Sequence, residues 1–160
     1  DVQINDLVEE LIALSAQRAK FAKVDINLDL QRDLRTIKVS QAELQQVMLN
    51  LINNALDAME KTGGNLTIST RMEEGNIIIG DHILIEVVDD GPGIPKANLT
   101  KIFDPFFTTK PVGKGTGLGL SICYGIIKKM GGSVEARSVI EGGTTFTVKV
   151  PLPKPKKENA

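Results

Sequence analysis

The chain has 160 residues, 41% hydrophobic and 24% charged, which predicts one compact globular domain rather than two full domains or a largely disordered chain. With 19 Lys and Arg against 20 Asp and Glu the net charge is -1, so nothing in the charge balance selects nucleic acid or an anionic membrane as partner. One Cys rules out an internal disulfide or a Cys-rich zinc site, and without a signal-like or ~20-residue apolar stretch a cytoplasmic chain lacking direct membrane contact is expected.

Leu7, Val8, Leu11 and Leu14 recur at helical spacing and predict a helix over 5–20, with Asn5 or Asp6 as N-cap. From Val24 to Leu30 apolar and polar residues alternate, the period of a half-buried strand. Ser40 opens the strongest helix, with Glu43 completing a capping box, and that helix is expected to run to about Glu60 before Gly63 and Gly64. Strands follow at Leu66–Met72 and His82–Val88, joined by a polar hairpin over 73–81.

From Asp89 to Gly119 the chain is crowded with Gly, Pro and Thr, too long for an ordinary connection, and reads as a mobile lid. A helix over Leu118–Met130 stops at Gly131 and Gly132, and strands at Ser133–Ser138 and Thr144–Val150 close the pattern. Pro151 onward has nothing to bury; the domain is drawn over 1–152 and 153–160 is expected to be a disordered tail. The interleaving predicts an α+β fold, a mixed, mainly antiparallel sheet covered by helices on one face.

Three segments carry chemistry. In the helix from Ser40, Leu44, Val47, Met48, Leu51, Ile52, Ala55, Leu56 and Met59 form one apolar face. Asn54 projects about 20° from the edge of that face at Val47, with Glu43, Asn50 and Asp57 beside it. A solvated flank is the bland reading. Against it, Asn50, Asn53 and Asn54 are poor mid-helix residues where Glu, Lys or Gln would serve a mere surface better. A carboxamide oxygen suits a hard cation such as Mg2+ already partly neutralised by phosphates.

Parity along Ile83, Ile85, Val87 and Asp89 puts the carboxylate of Asp89 on the core side of its strand. It could simply start a turn with Gly91, Pro92 and Gly93. At the mouth of an apolar pocket it would instead accept from the exocyclic amine of adenine and reject guanine, with glycines letting a flat ring approach the backbone. Third, Gly113, Gly115, Gly117 and Gly119 gather backbone N–H groups at a helix start, an anion site to which Lys110 and Lys114 add charge. Neither a GxGxxG nor a Walker A pattern fits, because Leu118, Leu120 and Gly115 stand where those motifs need other residues.

Taken together, NLINNALDAM, DDGPGI, FDPFFTTK and GKGTGLGL resemble, in order and spacing, the N, G1, F and G2 boxes of the catalytic and ATP-binding domain of bacterial sensor histidine kinases. GGTTF resembles the last glycine box of the superfamily that includes gyrase B, MutL and Hsp90 ATPase domains. The resemblance covers about residues 1–152 and implies a two-layer α/β sandwich, the Bergerat ATP-binding fold, with a mobile ATP lid. ATP and Mg2+ are the implied cofactors.

Residue by residue, the resemblance makes Asn54 the Mg2+ ligand, Asn50 its polar partner near the phosphates, and Lys110 a third catalytic group. Asp89 takes the place of the adenine-binding carboxylate, with Gly93 and Thr144. Phe103, Phe106 and Phe107 would pack the base of the lid, with Thr108, Thr109 and Lys110 leading into it. Gly115, Gly117, Leu118 and Gly119 would close over the triphosphate. Asp57, Gly91, Ile94, Lys114, Thr116 and Leu120 complete the implied nucleotide contacts.

The gyrase and Hsp90 relatives carry a water-activating glutamate at the position of Asn50, and an amide has no useful basicity, so transfer of the γ-phosphoryl group is expected over hydrolysis. The implied acceptor is a histidine on a separate dimerisation domain, with a response regulator downstream, and the isolated chain is expected to be monomeric. His82, the only histidine, begins a strand and is not expected to be the acceptor. Cys123 reads as plain core and Tyr124 carries no signal. Two alternatives stay open: an ATPase of the gyrase or Hsp90 sort, and a nucleotide-binding regulatory module without chemistry.

Overall fold

The computed structural model describes residues 1–107 and 119–153. In chain order these form α1 (Ile4–Phe21), β1 (Val24–Leu30), α2 (Gln41–Ala58), β2 (Gly64–Glu73), β3 (His82–Asp89), α3 (Lys96–Leu99), α4 (Gly119–Lys129), β4 (Ser133–Val139) and β5 (Gly143–Pro151). The strands make one sheet in the order β1-β2-β3-β5-β4, with β1 and β2 parallel and every other pair antiparallel. The parallel pair follows from connectivity, since the whole of α2 lies between β1 and β2 and carries the chain back to the starting end.

Register puts Leu66, Ile68 and Thr70 of β2 beside Asp89, Val87 and Ile85 of β3, and Val87 beside Phe146 of β5. This face is buried against the helices. The other is polar, with an ion pair between Arg71 and Glu86 at 3.2 Å. Leu84 is buried even there, flanked in register by Arg71 and Lys149, whose aliphatic stems can shelter it. Within the helix layer α2 is central, packing on both α1 and α4. Its Leu44, Val47, Met48, Leu51 and Ile52 are all 0% exposed, each contributing about 1.5–3 kcal/mol by burial. Truncating Leu51 to Ala would therefore cost ~2–5 kcal/mol.

The predicted elements all form, with corrections at their ends. Gln3, not Asn5 or Asp6, caps α1, its side chain accepting from the backbone N–H of Asn5 at 3.3 Å. Asn5 is taken by tertiary partners instead, donating to Gln31 O at 2.7 Å and accepting from the Thr70 hydroxyl at 2.7 Å. The capping box of α2 is half made. Ser40 Oγ accepts from Glu43 N at 3.3 Å, while the Glu43 carboxylate pairs with Lys129 of α4 at 3.2 Å. In β1 the alternation breaks at Leu28, 40% exposed on an edge strand.

Residues 90–107 of the predicted lid carry more order than its composition suggested, since α3 lies there and Ile102 is buried. Pro151 and Leu152, expected to bury nothing, belong instead to the folded sheet region. Pro151 belongs to β5, and Leu152 is buried with its N–H donating to Asp81 O at 2.8 Å, because β5 carries it alongside the residue that precedes β3. Residues 154–160 lie outside the described residues. No described helix is long and apolar enough to cross a membrane.

Candidate functional site

Asp89 closes β3 on the core side, as parity predicted, and is 5% exposed. Its Oδ1 accepts from the backbone N–H of Gly91 at 3.0 Å, the close turn that the Asp-Gly-Pro sequence favours. Burial pushes the carboxyl above its ordinary value, opposed by hydrogen bonds from the backbones of Gly91 and Thr144 and reinforced by the neighbouring charge of Asp90. A Cβ on Gly91 would sit 3.0 Å from Asp89 Oδ1 and 3.3 Å from Met59 Cγ, so a side chain there would crowd the carboxylate.

The segment after Asp89 is clamped by the β4–β5 hairpin. Ile94 N–H donates to Ser138 Oγ at 2.7 Å, and that hydroxyl lies 2.9 Å from both Gly143 O and Thr144 Oγ1. Glu141 N–H donates to Pro92 O at 2.7 Å. Gly93, at φ +80, could not carry a side chain, because its Cβ would lie 2.2 Å from Val139 O. Gly91, Gly93, Ile94 and Thr144 therefore meet Asp89 in one place. Ser138 was missed by the sequence reading. The available signal was a polar residue on the inward parity of β4, after Val134 and Ala136.

Asn50 and Asn54 lie along α2, which leads to this cluster, since Gly91 approaches the α2 end at Ala58 O and Met59. At a 1.5 Å rise per residue, Asn54 stands about 6 Å and Asn50 about 12 Å before Ala58 along the axis. The Asn50 carboxamide donates to Gly119 O at 3.3 Å and to Cys123 Sγ at 3.6 Å, so it is held against the start of α4. The side chain of Asn54, half-buried, makes no hydrogen bond among the described residues. Asp57, one turn beyond, pairs with Arg18 of α1, which also donates to Asn53 Oδ1 at 2.6 Å. Cys123 is core, as expected, and burial raises its thiol to about 11.

Of the three phenylalanines expected to pack together, Phe103 packs tilted against Tyr124 at 5.7 Å and meets Phe146 edge-on at 6.4 Å, and Phe107 is partly buried against the core. Phe106 does not join them. It is 74% exposed, with φ +67 turning it away from the core. Tyr124, without signal in the sequence, carries both the Phe103 contact and the Lys128 ammonium 5.4 Å from its ring centre. Leu120 is half-buried on α4 against the core, beside Gly119. Thr108, Thr109, Lys110, Gly113, Lys114, Gly115, Thr116, Gly117 and Leu118 lie outside the described residues.

His82 stands at the far end of β3 from Asp89, its Nδ1 3.1 Å from Gly80 O. It shares nothing with the site.

Chemically, one end offers a buried acceptor for an amino group, and further along α2 stand two carboxamides, of which Asn50 is held against the start of α4. No cluster of three His, Cys, Asp or Glu able to hold a metal exists among the described residues. A divalent cation would therefore need oxygens from its own ligand, which is how Mg2+ accompanies phosphates. The uncommitted carboxamide of Asn54 fits that role.

Residues 39–154 match the family model described as histidine kinase-, DNA gyrase B- and HSP90-like ATPase. The chain is 42% identical over 160 residues to the sensor kinase CckA of Brucella abortus, covering 93% of this chain and 17% of that protein. It is 34% identical over 151 residues to the sensor histidine kinase ZraS of Salmonella typhimurium, covering 94% and 31%. The chain thus spans between about a sixth and a third of the length of these curated relatives. Among solved structures, the catalytic domain of histidine kinase ThkA superposes with TM-score 0.77 at 30% identity, covering 94% of this chain and 93% of that one. Full-length ShkA in complex with AMPPNP gives 0.81 at 26%, covering 96% and 31%. ThkA in complex with the response regulator TrrA gives 0.75 at 27%, covering 98% and 42%.

Proposed function

The chain belongs to the histidine kinase-, DNA gyrase B- and HSP90-like ATPase family, among its histidine kinase catalytic domains, and from that we propose that it binds Mg-ATP and passes the γ-phosphoryl group to a histidine on a separate dimerisation domain. Adenine sits at Asp89, its amine donating to the carboxylate. Gly91, Gly93, Ile94 and Thr144 wall the ring. Asn54 would hold Mg2+, with the nucleotide's phosphates supplying further oxygens. Asn50 faces the phosphates beside Gly119, and the motif resemblance assigns Thr109, Lys110, Lys114, Gly115, Thr116, Gly117 and Leu118, outside the described residues, to the same anion site together with Leu120. Mg2+ supplies neutralisation of the phosphate charge.

In the transfer, the bond between the γ-phosphorus and the β,γ-bridging oxygen breaks, a phosphorus–nitrogen bond forms to the acceptor imidazole, and ADP leaves. This needs mainly positioning and charge. A response regulator takes the phosphoryl group next, a step favoured by the relative crystallised with one.

The observation that carries transfer over hydrolysis is Asn50: an amide donating to Gly119 O and Cys123 Sγ occupies the place where a water-activating carboxylate would be needed. The test incubates the chain with radiolabelled Mg-ATP, alone and with a histidine-bearing dimerisation domain from a related kinase. Label on that domain, lost in acid and absent with Asn54→Ala, supports the reading, and His82→Ala is expected to change nothing. Rapid hydrolysis without an acceptor would favour an ATPase. Tight binding without transfer to any acceptor would leave a nucleotide-responsive module.

A further inference from the structure

The metal-binding amide proposed at Asn54 has near it a charge outside the segment that matches the family model. Arg18 belongs to α1, and the match begins at residue 39. Its guanidinium reaches across to α2, pairing with Asp57 and donating to Asn53 Oδ1 at 2.6 Å. Asp57 follows Asn54 by three residues, so their side chains are neighbours about 60° apart on the helix, with Cβ atoms roughly 5–6 Å apart. A carboxylate at that distance repels the polyanion that Asn54 and Asn50 are placed to receive. Arg18 sets a positive charge beside it.

Stability does not explain the pair. The side chains are 46% and 28% exposed, and ion pairs so placed contribute little to folding. Arg18 is nevertheless engaged twice, fixed on two residues of α2 one turn apart. We infer that Arg18 is a positioning residue for nucleotide: it neutralises Asp57 beside the metal-binding amide, so that the triphosphate, rather than the adenosine, gains affinity from α1. This rests on the nucleotide reading of the site.

The experiment measures calorimetric affinities of Mg-ATP and adenosine for the whole chain, as wild type, Arg18→Ala, Arg18→Lys, and Arg18→Ala with Asp57→Asn. Arg18→Ala is expected to weaken Mg-ATP roughly tenfold at low salt, less at high salt, and to leave adenosine unchanged. Arg18→Lys should retain most of the affinity, and adding Asp57→Asn to Arg18→Ala should restore most of it. Unchanged Mg-ATP affinity in Arg18→Ala would overturn the inference. So would equal losses for adenosine and Mg-ATP, which mark a displaced helix, or failure of Asp57→Asn to restore binding, which would put Arg18 on the phosphates themselves. Wild type that binds neither ligand would instead overturn the nucleotide reading on which the inference stands.

Discussion

The hydroxyl of Ser138 accepts the backbone N–H of Ile94 at 2.7 Å, tying the glycine-rich segment after β3 to a strand 44 residues later. Without that acceptor the N–H has no replacement in the same place. Ser138→Ala is expected to cost about 1 kcal/mol in urea denaturation and to weaken nucleotide several-fold, because the wall beside Asp89 loosens. Wild-type stability and affinity in that variant would remove Ser138 from the site.

Nucleotide choice should reside in Asp89. A charged acceptor contributes ~1.5–3 kcal/mol to a hydrogen bond, so Asp89→Ala is expected to lose about ten- to over a hundredfold in ATP affinity while staying folded. Wild type should prefer ATP over GTP, whose carbonyl would face the carboxylate. Calorimetry that finds the two equal would contradict the adenine assignment.

Asp89 and Asp90 are adjacent and shift in opposite directions. Burial raises Asp89 above 3.8, so the folded chain holds that proton more tightly than the unfolded one, and its contribution to stability falls as pH rises through the folded value. Asp90 accepts from Asn65 N at 2.8 Å and Nδ2 at 3.0 Å, which lowers its value below 3.8. Its contribution is present above 3.8 and lost as pH falls through the folded value. At pH 7 without nucleotide, Asp89→Asn should therefore raise the melting temperature and Asp90→Asn lower it, both differences fading in acid. Carboxyl titration by NMR should find Asp90 ionising first.

Metal dependence should reside in Asn54. Mg2+ is expected to tighten ATP binding to wild type, and Asn54→Ala should abolish that gain while leaving the metal-free affinity, measured with chelator, within about twofold of wild type. If Mg2+ strengthens binding equally in both proteins, the ligand lies elsewhere.

Cys123 offers a probe of the packing between α2 and α4. With the thiol pushed up to about 11 and 0% exposed, the native protein should resist a thiol reagent at pH 8 and react at once when unfolded. Prompt labelling of the folded chain would show that α4 opens readily from Asn50.

Elements whose signal is local are legible along the chain alone. Periodicity placed α2 and its buried face, parity put Asp89 on the core side of β3, and the Ser40 cap needs only its own first turn. The motifs supplied the chemistry, because a carboxylate before a Gly-Pro-Gly turn and two carboxamides four residues apart keep their relation wherever the helix and strand go. Roles that depend on partners distant in the chain emerge only once the helices and sheet are packed. Asn5 left the capping role because Gln31 and Thr70 claimed it, Leu152 found a buried place because β5 carried it to Asp81, and Phe106 alone of three similar residues faces outward. Ser138 and Arg18 look ordinary in the sequence for the same reason. Each acts through a contact across 44 or 39 residues, and a hydrogen bond of that span is fixed by sheet order and helix packing rather than by local spacing.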